Sequence, residues 1–158
     1  MKKIHWGTLI LCVAGIVLIG SISGLANAGN ITGWYATLVK PSFNPPNYLF
    51  GPVWTILYIL MGISFNLILQ SAKTNTRKTA LIIFTFQLVL NFSWSFLFFY
   101  FKWPGIAFID IIILWIAIVM MLLTFYRISP LAAYLQIPYF LWVSFASVLN
   151  GAIWYLNT

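Results

Sequence analysis

The stretch WYATLVKPSFNPPNYLFGPVWTILYILMGIS, residues 34–64, decides how this chain folds. Its first half is polar and aromatic and carries Pro45 and Pro46, whereas its second half is an apolar run that begins at Pro52. Proline fixes φ and removes a backbone donor, so the first half is stiff without being a long helix. A plain linker would be short and rich in glycine and serine. We therefore expect a structured cap loop, residues 26–51, joined directly to a membrane helix.

The composition of the whole chain places it in a lipid bilayer. Of its 158 residues, 63% are hydrophobic and 6% are charged, and the mean hydropathy is +1.00. These values lie far from those of ordinary soluble domains. The formal net charge of +7 comes from basic residues scattered near the ends of apolar runs, which argues against a nucleic-acid partner. We expect an integral membrane protein without a soluble domain.

Five apolar runs follow one another, each with roughly the 20 residues that cross a hydrocarbon core of about 30 Å. The predicted spans are residues 4–25, 52–70, 79–101, 106–125 and 131–156. The sequence thus predicts an all-α, five-transmembrane-helix bundle, a single membrane domain over residues 1–158, with the long structured loop between its first two helices. The first run also imitates a secretory signal, but its apolar stretch is too long for one and its removal would leave four spans.

The basic residues predict the orientation of the bundle. With five spans, Lys40 and Lys102 fall on one side of the membrane and the other basic residues on the opposite side. Those others are Lys2, Lys3, Lys73, Arg77, Lys78 and Arg127. Positive residues favour the cytoplasmic side. We therefore expect the N-terminus in the cytoplasm and the C-terminus outside, together with the cap loop.

Polar and aromatic side chains recur at helical spacing in three of the runs, so each set shares one helix face. The sets are Trp54, Tyr58, Met61 and Phe65; Gln87, Asn91, Trp94 and Phe98; and Tyr139, Trp142, Ala146, Leu149 and Asn150. One interpretation is an elongated, indole-lined pocket for a flat apolar ligand with a few polar edges. The other is core packing, with Gln87 and Asn91 bonding between helices. The cap loop favours a pocket, because a packed core needs no lid.

Side chains with acid–base or metal chemistry are scarce. Cys12, His5 and Asp110 are the chain's one cysteine, histidine and side-chain carboxylate. One of each builds no metal site and no conventional catalytic set. We expect Cys12 to be a buried hydrophobe and His5 to be solvated at the inner membrane edge. Asp110 has two interpretations: an ion pair with Lys40 or Lys102, favoured by its shallow position, or a proton-coupling role.

A series of motifs covers most of the chain between Trp34 and Asn157. It comprises W-Y-x-x-L-x-K-P-S-x-x-P-P from Trp34, G-P-V-W-x-x-L-Y-x-x-M-G from Gly51, Q-L-V-L-N-F-S-W from Gln87, Asp110, S-P-L-A-A from Ser129 and P-Y-x-x-W-x-x-F-A from Pro138. This series resembles the translocator protein family, also called tryptophan-rich sensory proteins or peripheral-type benzodiazepine receptors. The resemblance favours a bacterial member in the plasma membrane.

The resemblance implies a five-helix bundle that binds tetrapyrroles such as protoporphyrin IX and haem and requires no cofactor. The pocket positions that it implies are Trp34, Pro45, Pro46, Trp54, Asn91, Trp94, Trp142, Ala146 and Leu149, and Tyr58 joins them through its helical spacing. The expected function is that of a receptor or sensor, with transport or stress-linked disposal of the ligand. Bacterial members are reported to degrade bound porphyrin in light, which implies Trp54 and Trp142 as reactive side chains. The alternatives are thus a light-dependent porphyrin-degrading enzyme and a structural interaction protein.

The chain differs from animal members of that family at its end. Those members bind cholesterol and synthetic isoquinoline or benzodiazepine ligands, and their cholesterol motif needs a basic residue after an aromatic one. This chain ends at residues 155–158, YLNT, without a basic residue. Cholesterol is therefore not expected as its ligand.

Two features bear on a second copy of the chain. Gly20 and Gly24 have the small-xxx-small spacing that allows close approach of a helix, either within one chain or between two. Ala80, Phe84 and Leu88 stand where some relatives have small residues suited to dimer packing. The resemblance implies a homodimer and leaves its interface open.

Overall fold

The computed structural model describes residues 5–158, which form seven α-helices. These are α1 (Trp6–Thr32), α2 (Trp34–Thr37), α3 (Phe50–Leu69), α4 (Asn75–Ser95), α5 (Pro104–Ile128), α6 (Pro130–Tyr134) and α7 (Ile137–Leu156). A 3-10 turn, Asn47–Leu49, leads into α3, and a π-helical segment, Phe96–Tyr100, continues α4. No strand occurs in this part of the chain.

Within residues 5–158, five helical segments are long and apolar enough to cross a membrane, which confirms the predicted fold class. They are Trp6–Thr32, Asn47–Leu69, Asn75–Tyr100, Pro104–Ile128 and Pro130–Leu156. Large apolar side chains cover their outer faces, as a hydrocarbon solvent requires. Ile4, the predicted start of the first span, and Lys2 and Lys3, which entered the predicted orientation, lie outside the described residues.

Several helices begin where the sequence carries a local start signal. The Thr74 side chain accepts a hydrogen bond from the Arg77 backbone N–H at the start of α4, and the Ser129 side chain accepts one from the Ala132 N–H at the start of α6. Such side-chain acceptors satisfy the free N–H groups of a first turn. Proline near the start of α5, α6 and α7 fits because no helical partner is needed there.

Helix α1 continues seven residues beyond the predicted end of the first span, so the cap loop is shorter than predicted. The predicted span ended at residue 25, but no proline interrupts residues 26–32 and the helix continues through them. Asn27 is fully buried, and its Nδ2 donates to the Ser23 carbonyl, 2.9 Å away within the helix. The cap loop therefore comprises residues 33–49.

The fifth span is bent rather than continuous over residues 131–156. Helix α6 ends at Tyr134 and α7 begins at Ile137. Pro138 has no N–H to donate to the Tyr134 carbonyl, and its ring would clash with that carbonyl in a straight helix. The break places Gln136, which is fully buried, at the bend.

The helices pack mainly as α1 against α3, α4 against α5, and α5 against α7. Two glycines allow the first of these contacts. A methyl group at Gly20 would overlap the Tyr58 ring, and one at Gly62 would overlap the Val13 backbone. Gly20 thus serves packing within the chain, whereas a methyl group at Gly24 would have no atom within 4 Å.

The face of α4 that carries Ala80 and Phe84 points into the bundle. Ala80 is 0% exposed and Phe84 is 2% exposed. The Phe84 ring stacks on Phe65, with 4.6 Å between ring centroids. This face of α4 is therefore occupied by contacts within one chain, and the predicted homodimer needs another surface.

Candidate ligand-binding site

A cavity of about 450 Å³ lies between α1, α3 and α4 beneath the cap loop; we call it the α1 cavity. Its aromatic walls are Tyr35, Phe50, Trp54, Tyr58, Trp94 and Phe99, and its polar groups include Ser21, Ser23, Asn27, Asn91 and Ser95. Cavities of about 300–1,000 Å³ with apolar, aromatic walls and a few polar groups are typical of small-molecule sites. The α1 cavity therefore has the size and lining of such a site.

The α1 wall of this cavity was missed by the sequence analysis. Gly20, Ser23, Gly24 and Asn27 all line it, and their spacing places them on one face of the helix. The glycines leave room where larger side chains would fill it. An asparagine four residues after a serine, in line with the two glycines, was the sequence signal that could have found this face, but Asn27 was assigned to the cap loop.

Asn27 is held in one orientation. Its Nδ2 donates to the Ser23 carbonyl at 2.9 Å and to Ser95 Oγ at 3.0 Å. Since a backbone carbonyl only accepts, the amide nitrogen must face it. The Oδ1 atom is buried and has no hydrogen-bond partner, and Asn27 is one of the residues that line the α1 cavity.

Trp54 is the centre of the aromatic wall. Its ring stacks on Tyr58, one turn further along α3, with centroids 5.4 Å apart. It also lies 6.5 Å from the Trp94 ring of α4 and 6.2 Å from the Tyr139 ring of α7. Such pairs stabilise beyond their buried area. The packing therefore fixes an indole face at the cavity wall.

A hydrogen-bonded chain of side chains links three helices beside the cavity. The Tyr58 hydroxyl donates to Asn91 Oδ1 at 2.9 Å, and Asn91 Nδ2 donates to the Tyr139 hydroxyl at 3.2 Å. The Tyr139 hydroxyl in turn donates to Gln87 Oε1 at 2.8 Å. Gln87 and Asn91 thus bond between helices, as the packing interpretation expects, while Asn91 also lines the cavity.

Trp94 is oriented by a second set of polar contacts. Its Nε1 donates to Asn150 Oδ1 at 2.9 Å, and Asn150 Nδ2 donates to the Pro104 carbonyl at 2.8 Å. The indole N–H therefore points toward α7 and the start of α5. Only the ring of Trp94 remains to contact a ligand in the α1 cavity.

The predicted residues of α7 lie on the other side of Trp54 and Trp94. Trp142, Ala146 and Leu149 line a narrow space of about 20 Å³, which we call the Trp142 cleft. That volume has room for about one water molecule. Phe50 and Trp142 close it, with ring centroids 6.0 Å apart. The structure thus divides the predicted pocket residues between two spaces.

Four predicted binding residues line the α1 cavity, namely Trp54, Tyr58, Asn91 and Trp94. Three others, Trp34, Pro45 and Pro46, line neither this cavity nor the Trp142 cleft. Trp34 instead packs edge-on against Phe98, with centroids 5.8 Å apart. Pro45 is half-buried and Pro46 is exposed on the cap loop.

Tyr35 anchors the cap loop over both spaces and lines each of them. It is 3% exposed, and its hydroxyl donates to Asn44 Oδ1 at 2.7 Å. Burial raises the pKa of Tyr35 to about 12. The cap loop is also tied to the end of α7, because Asn157 Oδ1 accepts from the Val39 N–H at 3.0 Å and its Nδ2 donates to the Val39 carbonyl at 2.9 Å.

The favoured interpretation of Asp110 as an ion pair with Lys40 or Lys102 is wrong. Asp110 Oδ1 accepts from Ser93 Oγ at 2.9 Å, and its Oδ2 has no hydrogen-bond partner. Lys40 Nζ is instead held by carbonyls of the cap loop, Ala36 at 3.2 Å and Leu38 at 3.3 Å. Asp110 thus bonds to α4 through Ser93 and makes no ion pair with either lysine.

The other titratable side chains lie apart from the cavity. His5 is exposed at the start of α1, and Cys12 is only half-buried, less than predicted. Across residues 5–158, no three His, Cys, Asp or Glu side chains come together as a metal site would require. The α1 cavity therefore offers stacking surfaces and neutral hydrogen-bonding groups.

Comparisons with known proteins agree with this architecture. A family model described as TspO/MBR family matches residues 10–156. The tryptophan-rich protein TspO of Chlorobaculum tepidum is 43% identical over 151 residues, covering 95% of this chain and 96% of the relative. That of Archaeoglobus fulgidus is 40% identical over 149 residues, covering 94% and 96%. The translocator protein of Homo sapiens is 38% identical over 123 residues, covering 77% and 73%.

Proposed function

The chain belongs to the TspO/MBR family, and on that premise we propose that it is a membrane receptor that binds tetrapyrroles in the α1 cavity. The observation that supports this most is the cavity itself, about 450 Å³ with Trp54 and Trp94 in its wall. A tetrapyrrole such as protoporphyrin IX has large flat faces that stack on indoles. The protein requires no cofactor of its own for this function.

Neutral polar groups orient the ligand within the cavity. The Asn27 Oδ1 atom has no hydrogen-bond partner and is closed to solvent, so a shift of the amide toward the cavity is needed before it accepts from an N–H or O–H group of the ligand. Asn91 and Tyr58 also line the cavity and are already bonded to each other. No histidine or cysteine lines the cavity, so haem and metal-free porphyrin bind alike, through their faces and edges.

The arrangement of charges sets the direction of access. In the described part of the chain, Lys73, Arg77, Lys78 and Arg127 lie on one side of the bundle, while Lys40 and Lys102 lie on the side of the cap loop. By the bias of basic residues, the first group is cytoplasmic. The cavity and cap loop then face the outside of a bacterial plasma membrane, so the receptor takes its ligand from that side for sensing, transport or disposal.

Tryptophan fluorescence of the detergent-purified protein, titrated in the dark with protoporphyrin IX, tests this function. Wild type should show saturable quenching, and Trp54→Phe should weaken the binding. Trp115→Phe is the matched control, because Trp115 lines neither space and bonds Ser144 at 2.8 Å. Non-saturating quenching that is identical in all three proteins would show porphyrin partitioning into micelles and would contradict the proposal.

Light-dependent degradation of bound porphyrin is a second candidate function, and one observation favours it. Trp54 and Trp142, the two predicted reactive tryptophans, line the same cleft, and the Trp142 indole N–H has no hydrogen-bond partner. Replacing both by phenylalanine should stop the light-dependent loss of porphyrin absorbance at a porphyrin concentration that still saturates the weakened dark binding of the variant. Degradation at the wild-type rate in that variant would exclude these two indoles.

A further inference from the structure

We propose that the first turns of α4 form a binding site for an anionic phospholipid of the bilayer, separate from the α1 cavity. An open groove of about 760 Å³ lies along this part of the chain. We call it the basic groove. Its charged residues are Lys73, Arg77 and Lys78, and its apolar residues are Leu81, Ile82 and Phe86.

The spacing of these residues places charge above apolar surface. Lys78, Ile82 and Phe86 follow at intervals of four, and Arg77 is followed by Leu81 in the same way, so two adjacent rows run down the helix. Each row begins with a cation and continues with apolar side chains, the longer row over about 12 Å. Ile82 is 59% exposed and Phe86 is 51% exposed. This order matches a lipid, with its phosphate at the helix start and its acyl chain along the helix.

The cations of the basic groove have no side-chain counter-charge in their own chain. The one side-chain carboxylate is Asp110, which bonds Ser93, and Ser93 lies about 24 Å from Arg77 along α4. Arg77 Nε is shielded from solvent and has no hydrogen-bond partner. An anion that pairs with these cations therefore comes from outside the protein.

The position of the basic groove selects a phospholipid as that anion. The third span, Asn75–Tyr100, begins at the groove. The apolar residues of the groove, Ile82 and Phe86, therefore lie at the depth of the lipid acyl chains. A free phosphate would pair with the cations but would not itself contact Ile82 or Phe86, whereas a single phospholipid contacts both the charged and the apolar part of the groove. Basic residues next to a membrane helix attract anionic headgroups, each contributing about fivefold in affinity near the surface.

Native mass spectrometry of the purified full chain tests the site. The protein is equilibrated with equal amounts of dioleoylphosphatidylglycerol and dioleoylphosphatidylcholine, and the retained lipids are counted. Wild type should retain phosphatidylglycerol preferentially, and Arg77→Gln with Lys78→Gln should reduce that preference at least about tenfold. The control variant, Arg127→Gln with Lys102→Asn, removes the same number of positive charges elsewhere. Asparagine replaces Lys102 because it tolerates the φ of 59° at that position.

Two further arms keep the outcome decisive. Phe86→Ser should weaken retention of phosphatidylglycerol, whereas Ile109→Ser, at another lipid-facing position that is 61% exposed, should not. Inorganic phosphate at millimolar concentration should not displace the lipid. Equal retention in the charge variant and its control, or full displacement by phosphate, would overturn the proposal. Unchanged protoporphyrin affinity of the charge variant shows that it is folded.

Discussion

The α1 cavity and the Trp142 cleft share five wall residues and differ in volume by more than an order of magnitude, about 450 Å³ against about 20 Å³. The shared residues are Tyr35, Phe50, Trp54, Trp94 and Phe99. The difference comes from the remaining wall: α1 supplies Gly20 and Gly24, whereas α7 supplies Trp142 and Leu149. Aromatic residues thus line both spaces, and small residues decide which one is open.

Truncating a wall residue shared by both spaces should have the largest effect. Trp94 is 9% exposed and bonds Asn150, so Trp94→Ala loses packing and leaves a buried amide unpaired. We expect the free energy of unfolding to fall by about 3–5 kcal/mol. Reversible denaturation in mixed micelles measures it, with Trp103→Ala, at a position 50% exposed, as the control. Equal losses in the two variants would contradict the central place of Trp94 between the spaces.

Removing one hydroxyl should show how far the polar chain beside the α1 cavity is structural. Tyr139→Phe leaves Asn91 Nδ2 and Gln87 Oε1 without their shared partner. We expect a loss of about 1–3 kcal/mol in the free energy of unfolding. Tyr134→Phe, at an exposed position, controls for a hydroxyl lost elsewhere. If the Tyr139→Phe variant is as stable as wild type but its porphyrin affinity is altered, these hydrogen-bonded side chains serve ligand recognition instead.

The affinity for protoporphyrin IX, measured in the dark, should distinguish the α1 cavity from the Trp142 cleft as the binding site. Trp142 lines the cleft and not the cavity, so Trp142→Phe should change the affinity for protoporphyrin IX less than about twofold, under about 0.5 kcal/mol. The same titration on Trp54→Phe should show the larger change. If Trp142→Phe weakens binding more than Trp54→Phe does, the ligand occupies the cleft and the comparison is reversed.

Titration of Tyr35 tests whether the cap loop buries this side chain. Of the changes predicted, it should have the smallest effect near neutral pH. Its pKa is raised by burial to about 12, above the ordinary value of about 10 for an unfolded chain. The stabilisation it contributes is therefore complete below about pH 10 and is lost as pH rises toward about 12. The difference in absorbance at the tyrosinate band between wild type and Tyr35→Phe should rise near pH 12. A rise near about pH 10 would mean that the cap loop leaves Tyr35 exposed.

Hydropathy and helical spacing predicted much of this architecture. The five spans followed from runs of apolar residues, and the face with Gln87, Asn91 and Trp94 is buried as its spacing predicted. The α1 wall was not predicted, because the spacing of Gly20 and Gly24 indicated only close helix packing and Asn27 was assigned to the cap loop. The partner of Asp110 also depends on the rotation of α5 and the path of the cap loop, which sequence spacing does not determine.

Filling the α1 cavity tests the proposed site most directly. Gly24 lines the cavity and Gly15 does not. A methyl group at either glycine would have no atom within 4 Å. Gly24→Leu and Gly15→Leu are therefore matched substitutions on the same helix. In a dark titration with protoporphyrin IX, Gly24→Leu should weaken binding at least about tenfold, or about 1.4 kcal/mol, and Gly15→Leu should bind like wild type. Wild-type affinity in the Gly24→Leu variant would contradict binding in this cavity.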